Sequence, residues 1–145
     1  MIGILFSVIA GAVMSLQGVI NTRLSDKIGV LESNAFVQGT AFVIGLLAML
    51  LFGRGNLRAI TGARPIYLLG GALGFVITLT VILSIKGLSP TAAISIILIS
   101  QLLTAALIDA FGWLGTERVP FTWQKYVGLA LMLGGILIFK WKTVK

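Results

Sequence analysis

Five apolar stretches, each close to twenty residues long, follow one another along this chain with only short breaks between them. A helix rises 1.5 Å per residue, so about 20 residues cross the roughly 30 Å hydrocarbon core of a bilayer. The stretches fall at about 2–22, 34–52, 66–86, 90–112 and 123–139. In the second, Ser33 is placed to act as N-cap. In the fourth, Ser89 can cap and Pro90 suits the first helical turn. The segments between them ("RLSDKIGVLE", "GRGNLRAITGARP", "GLSP", "GTERVPFT") collect Gly, Pro and charge, as interfacial connections do. Tyr67, Trp113, Trp123, Tyr126 and Trp141 stand near the ends of the stretches, where aromatic belts form.

Composition agrees. Apolar residues make up 58% of the 145 and charged residues 10%, with a mean hydropathy of +1.09. A soluble domain of this size cannot bury so much apolar surface, so the expected class is an all-α polytopic membrane protein with five transmembrane helices in one membrane domain. The first stretch lacks a basic leader and a small-residue cleavage site, and is read as a span. The net charge of +7 is scattered between apolar runs, which fits membrane-edge anchors and not a nucleic-acid surface. With no Cys and no His, neither a thiolate metal site nor an imidazole relay is available, and no cofactor is expected. "GGALG" lies inside an apolar stretch and does not match a dinucleotide fingerprint in context, so an enzyme is not expected.

Five spans place the two termini on opposite faces. One face then carries five Lys and Arg (Arg54, Arg58, Arg64, Arg118, Lys125) and the other six (Arg23, Lys27, Lys86, Lys140, Lys142, Lys145). Orientation follows the Lys/Arg bias of short loops, and a bias of one charge selects neither orientation. The expectation is a chain that inserts both ways and pairs head to tail as an antiparallel homodimer. The competing expectation is an orientation set by insertion order or by an oppositely biased partner.

Apolar burial cannot drive helix association in lipid; close packing of small residues and interhelical hydrogen bonds can. Gly3, Ser7, Gly11 and Ser15 make a small-residue stripe in the first span. Gly70 and Gly74 make a GxxxG pair in the third, and Ala130 and Gly134 a small pair in the fifth. Within a chain or across a dimer, such stripes are expected to pack helices.

Polar side chains inside the spans mark the candidate pathway. Gln17 and Asn21 lie about 40° apart on a helical wheel and are expected to face other helices, either as interhelical glue or as the lining of a polar cavity. Gln38 is a further candidate, with a bond to neighbouring backbone as its alternative. The fourth span carries Ser100, Gln101 and Asp109, the last two about 12 Å apart along the axis. Asp109 is the carboxylate well inside a span. Such a group costs about 2.5–3.5 kcal/mol to insert and marks function by default; its alternative is an interfacial position paired with Arg118. Lys86, at the end of the third span, is expected to snorkel.

Gln17, Gly18 and Asn21, "FVIG" (42–45), "GGALG", "SQLL" (100–103) and "IDAFGWLG" (108–115), taken in order, resemble the small YdcZ-like branch of the drug/metabolite transporter superfamily. Ala110 and Ala41 stand where that family commonly has His and Ser. The resemblance implies a bacterial inner-membrane protein similar to one half of a ten-helix inverted-repeat transporter, completed by a second copy or a close relative. The function expected is secondary transport of a small molecule by alternating access. Gln17, Asn21 and Gln101 would shape the site, and Asp109 would meet a cationic solute or a proton. The alternatives are a small antiparallel dimeric ion channel and a non-transporting membrane assembly subunit.

Overall fold

The computed structural model describes Met1–Lys140, with side chains described through Ile138. The anchoring roles expected of Lys140, Trp141, Lys142 and Lys145 therefore fall on side chains outside the described residues. Every regular element described is helical: α1 (Ile2–Ile28), α2 (Val30–Phe52), α3 (Gly70–Gly87), α4 (Pro90–Phe111) and α5 (Trp123–Lys140), with short 3₁₀ turns at Leu57–Gly62, Pro65–Leu69 and Trp113–Gly115. Four helical segments are long and apolar enough to cross a membrane: Ile2–Ile28, Val30–Phe52, Pro65–Gly87 and Pro90–Phe111. Among the described residues the apolar run of α5 covers Trp123–Ile138. The chain is thus an all-α polytopic membrane protein. It forms two compact units, Met1–Gly87 and Leu88–Lys145.

In the first unit α1, α2 and α3 pack against one another. The expected end of the first span near Thr22 is passed: α1 runs on through the charged "RLSDKI" to Ile28, and α2 begins at Val30. A single residue, Gly29, joins them. Its φ of 100° is open to glycine at no steric cost, and its N–H returns to the Ser25 carbonyl. Because the break comes at Gly29, Ser33 lies inside α2 and does not cap it. Its hydroxyl donates instead to the Asn21 carbonyl of α1, at 3.1 Å.

The buried set of this unit is unusual for a protein interior and ordinary for a membrane one. Asn21, Thr22, Ser25, Ser33 and Asn34 are buried, with Ile82 and Ile85 as the apolar members. Large apolar side chains face outward along the helices, Ile4 at 71% exposure and Leu50 at 69% among them. This is the arrangement lipid favours, since acyl chains solvate Leu and Ile but not a carboxamide. Gly18 makes the closest helix approach: a Cβ there would stand 3.0 Å from Ile85 Cδ1 and 3.1 Å from Val81 Cγ1. Lys86, expected to snorkel, pairs with Asp26 at 3.1 Å and so ties α3 to the extended end of α1.

In the second unit α4 packs on α5. The start of α4 is as its sequence predicts. Pro90 occupies the first turn and the Ser89 hydroxyl accepts from the Ala92 N–H at 3.3 Å. Gly112 ends the helix in the left-handed region, at φ 64°. Tyr67, Trp113, Trp123 and Tyr126 are all exposed, as belt residues require.

Candidate functional site

The polar side chains singled out in the sequence divide between the two units, and each unit holds its own arrangement. In the first, Asn21 is buried and Gln17, one turn earlier on α1, is exposed. The two carboxamides therefore do not share one environment within the chain. The small stripe Gly3, Ser7, Gly11, Ser15 is also largely exposed. Ser7 and Ser15 donate back to the carbonyls of Gly3 and Gly11 at 2.9 and 3.0 Å, and a Cβ at either glycine would meet no atom within 4 Å. Gly70 is likewise open, whereas a Cβ at Gly74 would stand 3.8 Å from Gln38 Nε2. Half-buried Gln38 reaches Thr78 Oγ1 at 3.4 Å across the α2–α3 seam, a long bond.

Asn34, which no sequence feature marks, shares with Ser33 the deepest enclosure among the polar side chains of the unit, each at 0% exposure. Its Nδ2 donates to the Phe75 carbonyl at 3.0 Å, while its Oδ1 has no partner among the described residues. Asn34 stands at the expected start of the second span, beside the expected cap Ser33, where a helix end is anticipated. Only the position of the break at Gly29 reveals it as an interior residue.

The second unit holds a cavity. Between the last turns of α4 and the first turns of α5 lies a space of about 270 Å³, lined by Leu103, Ala106, Phe121 and Met132 and by two charges, Asp109 and Lys125. Asp109 is half-buried there. Ser100 and Gln101, farther back along α4, are exposed, as are Ala130 and, in part, Gly134 on α5. The pairing of Asp109 with Arg118 does not form: the Arg118 Nε–H donates to the Ala110 carbonyl at 3.0 Å, and Asp109 contributes only its backbone carbonyl, to Val119 at 2.8 Å. Among the described residues the ion pair is Lys86–Asp26, so Asp109 and Lys125 line the cavity without forming an ion pair with each other.

Their placement works against the helices that carry them. Asp109 stands in the last turn of α4, at the negative end of its dipole. Lys125 stands in the first turn of α5, at the positive end. The opposite assignment would favour each helix by about 0.3–1 kcal/mol. Lys125 Nζ lies 5.9 Å from the centroid of Phe121, whose ring meets Tyr126 edge-on at 4.4 Å. The sequence presents Lys125 as an interfacial anchor, and nothing local marks it otherwise. Its meaning comes from Asp109, on the neighbouring helix.

A family model described as "Putative inner membrane exporter, YdcZ" matches residues 2–138. No curated protein and no solved structure matches the chain.

Proposed function

We propose, since this chain belongs to the YdcZ family of inner membrane exporters, that it is a secondary transporter moving a small molecule by alternating access. It is a multi-pass inner-membrane protein. The observation that carries the transport reading is Asp109: a half-buried acidic residue, in no ion pair among the described residues, lining a cavity whose walls are mainly apolar. A purely structural helix pair has no use for such a group, which costs free energy at that depth and disfavours its own helix end. A volume of about 270 Å³ lies just below the range of about 300–1,000 Å³ typical of drug-sized sites, and fits a small metabolite.

The working unit in this reading is an antiparallel pair with dual topology, or a pair with a close relative, acting together as one membrane module. Two observations support it. The Lys and Arg count leaves five on one face and six on the other, too even to fix one orientation. Gln17 and Gln101 lie exposed inside apolar spans, where lipid leaves their donors and acceptors unmet and a second copy satisfies them. Asp109 then meets the cationic group of the solute, or a proton in exchange for it. Flux in proteoliposomes under a pH gradient tests this. Wild-type protein gives saturable counterflow and Asp109→Asn loses it; an Asp109→Asn variant with undiminished gradient-driven flux overturns the assignment.

A further inference from the structure

We infer that the cavity between α4 and α5 is a zwitterion site: its ligand carries an ammonium and an acidic group together on a compact aliphatic or aromatic body. This rests on the transporter reading above and narrows it. The two charged residues that line the cavity are of opposite sign, and neither is in an ion pair among the described residues. A simple cation would satisfy Asp109 and be repelled by Lys125; a simple anion would do the reverse. A ligand with both charges leaves neither protein charge unmatched, which is the requirement for burying them.

The helix ends reinforce the same polarity. Asp109 adds a full negative charge to the negative end of the α4 dipole, and Lys125 adds a full positive charge to the positive end of α5. Each charge is unfavourable for its own helix and strengthens the field there. The cavity therefore presents an enhanced negative pole and an enhanced positive pole. Arg118, whose Nε–H donates to the Ala110 carbonyl, is not part of the lining, and Lys125 is the cationic residue that lines the cavity among the described residues. Leu103, Ala106, Met132 and Phe121 supply the wall for an apolar body. Residues that weaken a local structural rule in this way are those expected at sites of function.

The test compares ligands that differ by one charge, with the full chain purified into lipid nanodiscs. Binding of radiolabelled L-leucine and L-phenylalanine is measured directly. For leucine, competition is measured with 3-methylbutylamine, which keeps the amine alone, and with 4-methylpentanoate, which keeps the carboxylate alone. The expected result is saturable binding of at least one amino acid. For leucine, each single-charge analogue competes at least tenfold more weakly than unlabelled leucine. Lys125→Met abolishes the preference over the amine, and Asp109→Asn the preference over the carboxylate. Equal competition by 3-methylbutylamine against wild-type protein, or no saturable binding of either amino acid, overturns the inference. The wild-type series stands alone if a variant fails to fold. Flux separates this inference from the transporter reading: zwitterion binding without flux removes the transporter and keeps the site, whereas saturable flux of a simple cation with no zwitterion binding does the opposite.

Discussion

Asn34 donates to the Phe75 carbonyl across the α2–α3 interface at 3.0 Å, and the other half of the same carboxamide, Oδ1, is buried with nothing to accept from. One made bond contributes about 0.5–1.5 kcal/mol, while an orphaned buried acceptor costs about 1–3 kcal/mol. The two roughly cancel. Asn34→Leu is therefore expected to change stability by no more than about 1 kcal/mol. Asn34→Asp places a charge in the same enclosed position and is expected to cost about 3 kcal/mol or more. Thermal unfolding in detergent micelles ranks the two; an Asp variant as stable as the Leu variant contradicts the enclosure of this side chain.

Glycines on α1 are expected to respond in opposite ways to the same substitution. Gly18 sits against Ile85 and Val81 at 3.0 and 3.1 Å from a notional Cβ, while Gly11 has open space. Gly18→Leu should destabilise the three-helix unit by about 1–3 kcal/mol through overpacking. Gly11→Leu should leave the unfolding temperature of the monomer nearly unchanged. Equal effects at the two positions would mean that α1 does not present the Gly18 face to α3.

The Asp26–Lys86 pair has side chains 46% and 32% exposed. After discounting for solvent screening its coupling should fall at or below about 1 kcal/mol. A double-mutant cycle with Asp26→Asn and Lys86→Met measures it, and raising the salt concentration to about 1 M should erase most of it if that end of the unit is wet.

Orientation can be driven by charge. Adding four basic residues to the segment between α2 and α3, for instance Gly55→Arg, Asn56→Lys, Ala59→Lys and Thr61→Arg, takes that face from five Lys and Arg to nine against six and should convert a mixed population into a single topology, as read by reporter enzymes fused to the C-terminus. In the antiparallel reading that variant alone loses flux. Co-expression with a variant biased the other way restores it. Full activity from uniformly oriented chains would rule the antiparallel pair out.

Much of the fold could be read from the sequence because hydrocarbon imposes a simple rule of length and polarity. Ser89, Pro90 and Gly112 bound α4 where their local chemistry requires. The first connection was not legible in the same way. Arg23, Asp26 and Lys27 read as loop, yet they extend α1, because a helix may leave the apolar zone without unwinding and because Asp26 finds its partner on α3. Asp109 announced itself as a charge inside an apolar run. Lys125 and Asn34 did not, since one resembles an anchor and the other stands at the expected start of a span, and only packing distinguishes them. Gln17 and Asn21 share a helical wheel sector but differ in burial, which depends on how closely α3 approaches at Gly18.

Gly29 is the whole of the connection between α1 and α2. A tether of one residue gives the two helices no slack, so they cannot slide or turn past each other at this end without unwinding. Any rearrangement of the first unit must therefore carry α1 and α2 together as one stiff hairpin, and a bulkier residue at the bend, where φ is 100°, would have to reopen that hairpin to be accommodated.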